Sequence, residues 1–188
     1  MHSKILILPG LYDSGPDHWQ SLWAEQWQGF KRVEQADWQT PHCDDWVRCL
    51  DQAIRREDGP VVLVAHSLAC TLVTRWAERH RSEQVRGALL VAPSDTEAES
   101  YPSGTHGFTP MSTGRLSFAS IVVASDDDPY VSKARAAEFA RAWGSELVCL
   151  SGAGHINGQS GYGAWYEGTE LLSRLAGGLA PQVQVLRP

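Results

Sequence analysis

Clusters of lysine and arginine are missing from this 188-residue chain, and its formal charge at pH 7 is −6. Binding to a phosphate backbone is driven by grouped cations, so no nucleic-acid partner is expected. Long apolar runs are missing too: none approaches the roughly 20 residues that span a bilayer, so no membrane partner is expected. The opening run Ile5 to Leu8 is broken by Pro9-Gly10, too soon for a signal peptide. The cysteines, Cys43, Cys49, Cys70 and Cys149, form no C-x-x-C pair and have no matching histidine spacing, which argues against zinc and thioredoxin-like chemistry. Reduced thiols without an export signal point to the cytoplasm. A phosphate-binding glycine loop is also lacking. Gly10 and Gly15 follow the first apolar run without the rest of either nucleotide fingerprint, and Asp13 stands where phosphate would sit. Internal repeats, low-complexity tracts and linkers do not occur.

What is present is a chain with 43% hydrophobic and 20% charged residues, enough for one domain over residues 1–188 with a full core. Apolar runs predict strands at Lys4 to Leu8, Val61 to Ala65, Val85 to Val91, Ile121 to Ala124 and Glu146 to Leu150, with a weaker one at Arg32 to Gln35. Between them lie helical patterns. The Ser14-Gly15-Pro16-Asp17 box opens the first, in which Trp19, Trp23 and Trp27 share one face, the pattern of a helix packed on a sheet. Others run from Asp44 to Arg55, Ser67 to Arg79, Ser132 to Trp143, and Ala164 to Leu175 with a stop at Gly177-Gly178. Alternating helices and continuous apolar strands predict an α/β three-layer sandwich around a mostly parallel sheet of about six strands. The stretch Pro93 to Ser117, rich in Ser, Thr, Gly and Pro, fits neither period and reads as an active-site cover or a surface excursion.

Ala65-His66-Ser67-Leu68-Ala69 joins a buried strand to a helix. Small residues two before and two after the serine are what a nucleophile elbow needs, although a serine at this junction is equally an N-cap. Ligands of a parallel sheet bind beyond the carboxyl ends of its strands. Ser67, Asp128 and His155 all follow strands, in the chain order expected for α/β-hydrolases. His155 would accept the serine proton and return it to the leaving group, and Asp128 would fix the imidazole tautomer. Asp126 and Asp127 compete for that role, but Pro129 favours Asp128 by holding the turn. Oxyanion donors are expected at the backbone amides of Leu68 and Leu11, with Gly10 shaping the turn. Among seven histidines, His66 diverges from its neighbour at a sharp elbow, and His18 is the serious rival to His155. Gly10, Tyr12, His18 and Trp19, with the Pro93 to Ser117 loop, are expected to wall a substrate pocket.

Taken together, Pro9-Gly10, His18-Trp19, Trp23, the Trp38, Pro41, Trp46 segment, His66-Ser67, Asp127-Asp128-Pro129 and Gly154-His155 resemble the small, lidless α/β-hydrolase-fold proteins of the retinoblastoma-binding-protein-9 type. The resemblance implies a minimal α/β-hydrolase fold, with Ser67 as nucleophile, Asp128 as acid and His155 as base. It also implies a serine hydrolase acting on esters or amides; the expectation for this chain is a small substrate and no metal or organic cofactor. The chain departs from the elbow pattern in carrying Ala65 and Ala69 where glycines are usual. A retired hydrolase scaffold serving as a binding module is the competing expectation.

Overall fold

The computed structural model describes residues 3–176. The helix stop at Gly177-Gly178 lies outside them. Strands β1 (Lys4–Leu8), β2 (Phe30–Arg32), β3 (Val61–His66), β4 (Val85–Val91), β5 (Ala119–Ser125) and β6 (Glu146–Leu150) form one parallel sheet in the order β2-β1-β3-β4-β5-β6. Helices are α1 (Trp19–Gln26), α2 (Cys43–Arg55), α3 (Leu68–Arg79), α4 (Lys133–Trp143) and α5 (Tyr166–Leu175). Both faces of the sheet are covered. Leu6, Leu8, Leu63 and Leu90 point toward Trp46, Leu50, Trp76 and Phe139 of α2, α3 and α4. Ile5, Ile7, Val64 and Leu89 point toward Trp19, Trp23 and Leu172 of α1 and α5. That double burial is why these strands read as continuous apolar runs instead of alternating ones.

Two local expectations change. Helix α1 starts at Trp19, not at the Ser14 box: residues 14–18 form loop and turn, entered from Tyr12 and Asp13 at left-handed φ of 66° and 68°. Ser14 then turns inward to donate to Gln20 Oε1 at 2.8 Å, and His18 caps the helix through Nδ1, which accepts the Gln20 amide at 3.1 Å. Strand β2 covers Phe30–Arg32 and not 32–35, since its register sets Phe30, Lys31 and Arg32 opposite Ile5, Leu6 and Ile7. The irregular 93–117 stretch lines the site and is not a surface excursion. Phe108, Met111 and Leu116 anchor it in the core, while its first third crosses the carboxyl edge of the sheet.

Sheet order reverses between β1 and β3: the chain runs outward from β1 to β2, then returns to β3 and proceeds the other way. The carboxyl ends of those two strands therefore bound a crevice, the place where such sheets bind ligands.

Candidate active site

Ser67 occupies φ 56°, ψ −123°, between the last residue of β3 and the first of α3. A non-glycine residue pays a steric penalty there. Its side chain makes no capping hydrogen bond to α3, so the N-cap reading gives way to a hydroxyl turned out of the helix. Ser67 Oγ lies 2.9 Å from His155 Nε2. On the other side of the ring, His155 Nδ1 lies 2.9 and 3.0 Å from the two oxygens of Asp128. The Asp128 side chain is 0% exposed, and one of its oxygens also accepts the Tyr130 amide at 2.9 Å. Nδ1 facing a carboxylate carries the proton, which leaves Nε2 as the lone-pair nitrogen toward the serine.

The tight elbow is reached through small residues. Ala65 and Ala69 are fully buried, and a Cβ on Gly10 would stand 2.9 Å from both His66 O and Ser67 Cβ. Glycine at position 10 is what lets the loop after β1 touch the elbow. That contact brings the Leu11 segment beside Leu68, whose amide, first in α3, has no intrahelical partner.

The loop that carries His155 is secured at each of five consecutive residues. The amides of Gly152, Ala153 and Gly154 donate to Asp126 Oδ1, Ser125 Oγ and Asp127 Oδ1 at 2.8, 2.9 and 2.7 Å. The carbonyls of His155 and Ile156 accept from His66 Nε2 and Trp19 Nε1 at 2.9 and 2.8 Å. Asp126 and Asp127, competitors of Asp128 on sequence grounds, thus fasten this loop. The Gly152 amide and Ser151 hydroxyl hold Asp126 below the usual carboxylate range, and the Ser125 hydroxyl and Gly154 amide do the same for Asp127.

A cavity of about 170 Å³ opens over Ser67 and His155. Tyr12 and His18 line it, as do Ser94, Tyr101 and Pro102 from the irregular loop. Trp19 does not: it is 1% exposed, packed against Trp23 and Trp165 behind the wall. Gly10 is likewise at the elbow contact and not in the wall. The sequence reading missed Tyr130, Asn157, Asp13 and His66 as lining residues. Tyr130 follows Asp128 by two positions, so its proximity was the one available signal; its ring meets the His155 ring at 4.6 Å. Burial, then the neighbouring His155 and Arg32, push His18 down to about 3, too weakly basic to take the serine proton, and it is His155 that contacts Ser67 Oγ. Burial raises the Tyr101 phenol to about 12, keeping it protonated.

The open parallel sheet with five flanking helices is that of α/β-hydrolases, and solved structures agree. A YdeN-like hydrolase from Pectobacterium atrosepticum is 30% identical, covering 94% of this chain and 91% of its own, with a TM-score of 0.83. The ydeN gene product of Bacillus subtilis is 20% identical over 92% of this chain and 98% of its own, TM-score 0.74. Carboxylesterase CesB of Bacillus subtilis shares the fold at 14% identity, covering 94% of this chain and 85% of its own, TM-score 0.59. Curated proteins include no match. The serine hydrolase family model matches residues 5–174, and the chain belongs to that family. Among the described residues no helix is long and apolar enough to cross a membrane.

Proposed function

We propose that this chain hydrolyses small ester or amide substrates through an acyl-enzyme on Ser67. The observation that carries the reading is the unbroken line Ser67 Oγ, His155, buried Asp128, with every contact at 3.0 Å or less. Ser67 attacks the substrate carbonyl carbon while its proton moves to His155 Nε2, and Asp128 stabilises the imidazolium that forms. The amides of Leu11 and Leu68 stabilise the oxyanion. Collapse of the tetrahedral intermediate breaks the bond to the leaving alcohol or amine, which takes the proton from His155. Water then enters by the same route, and Ser67 regains its proton. The scheme uses no metal or organic cofactor. The partner is a small-molecule acyl substrate. A cavity of about 170 Å³ favours a compact acyl group; a protein cavity of roughly 150 Å³ accepts benzene.

The retinoblastoma-binding-protein-9 type is the finer kinship we infer, on the residue set from Pro9-Gly10 to Gly154-His155. Four free thiols fit action in the cytoplasm. Labelling with a fluorophosphonate probe tests the mechanism. Wild type is expected to be modified at Ser67, and Ser67→Ala to lose both labelling and roughly 10⁴-fold or more of the ester hydrolysis rate. An unlabelled wild type overturns the proposal and favours a binding module on a hydrolase scaffold.

A further inference from the structure

His66 is the residue that no step of this scheme uses, yet it is buried at the centre of the site. It ends β3, opposite Val91 of β4, so its backbone is fixed by the sheet. Its ring packs between those of His18 and His155, with centroids 4.7 and 4.9 Å away. Its Nε2 lies 2.9 Å from the backbone oxygen of His155. A carbonyl can only accept, so this nitrogen carries the hydrogen and His66 is the donor. Burial, and the two neighbouring imidazoles, keep the ring neutral.

His155 sits in a loop whose path depends on two glycines. Gly152 and Gly154 both adopt left-handed φ, 63° and 55°. Bonds from the β5 loop secure the amides before His155, and Trp19 secures the carbonyl after it. The carbonyl of the base itself is secured by the residue adjacent to the nucleophile. Ser67 and His155, 88 residues apart, are therefore joined twice, once through the reacting atoms and once through a link that persists when the proton moves.

We propose that His66 is a positioning residue for the base: its Nε2–H holds the His155 backbone so that the imidazole stays aligned between Ser67 Oγ and Asp128. The inference rests on Ser67 being the nucleophile. Orientation of this kind matters because a displacement of about 1 Å at a reacting group costs roughly 10²-fold in rate. The ring also bars the imidazole from turning back toward α1, while Tyr130 closes the opposite side.

Three substitutions separate this role from simple packing. His66→Phe fills the space without a donor, His66→Gln presents its amide nitrogen at about the reach of histidine Nε2, and His66→Asn falls one carbon short. The expected kcat of His66→Phe is roughly 10- to 100-fold below wild type, with KM within about threefold. His66→Gln should recover at least about tenfold over His66→Asn in both ester hydrolysis and fluorophosphonate labelling rate. A His66→Phe rate within about twofold of wild type overturns the inference. So does a slowed His66→Phe whose loss falls on KM and not on kcat. Equal impairment of the Gln and Asn variants also overturns it, and that comparison decides the matter alone if the Phe variant does not fold. Failure of wild type to label defeats the Ser67 assignment itself; a labelled wild type indifferent to position 66 defeats only the role of His66.

Discussion

Position 67 combines backbone strain with the nucleophilic role proposed for it. Its φ of 56° is a conformation that a side chain makes costly and glycine does not. The structure tolerates the strain because the Ser67 amide is bonded to Val91 O at 2.9 Å and the next residue is already in α3. Removing the hydroxyl with alanine leaves the strain in place, whereas glycine relieves it. Ser67→Gly should therefore unfold at a higher free energy than Ser67→Ala by about 1 kcal/mol, read from paired denaturant titrations. Gly10 shows the converse case. Any Cβ there would overlap the elbow, so Gly10→Ala should push the loop after β1 away from Leu68 and slow ester hydrolysis by about 10²-fold. Circular dichroism of the same sample checks that the fold survives. Serine and glycine were both legible at these positions because the chemistry demands them. The left-handed Tyr12 and Asp13 were not, since a tyrosine gives no sign of positive φ and Arg32 holds Asp13 only across 19 residues.

At the level of elements, the turns after β5 and β6 act as one piece. Asp126 and Asp127 lie below the ordinary carboxylate range because amides and hydroxyls favour their charged form. A carboxylate depressed in the folded state stabilises it above the unfolded value, near 4, and that contribution disappears as pH falls through the folded value. Asp126→Asn and Asp127→Asn should each be less stable than wild type at neutral pH. The deficit should narrow on acidification below about pH 4, in chemical denaturation followed across pH. The strands bearing these turns were readable from apolar runs alone. Which aspartate faces His155 was decided by the turn at Pro129, a local signal, and the roles of the other two depend on a loop 25 to 27 residues away that no local pattern encodes. Helix α1 was misjudged at its start for a related reason: Ser14 prefers the buried amide of Gln20, whose nitrogen also bonds the carbonyls of Leu8 and Val64 at the ends of β1 and β3.

Across the whole molecule, the order β2-β1-β3-β4-β5-β6 distributes the reacting groups from the centre of the sheet to its edge. Architecture was legible because helices and double-sided strands leave strong periodic signals. The cavity wall was less so: Tyr130 and Asn157 enter it from turns, and Trp19 leaves it because its indole is held by Ile156 O. Ser67 follows the third strand in chain order and its proposed base follows the sixth, which forms one edge of the sheet. The two side chains, 88 residues apart, meet only when the central strand and that edge strand are both in register, so the proposed chemistry depends on the least enclosed strand pairing of the sheet.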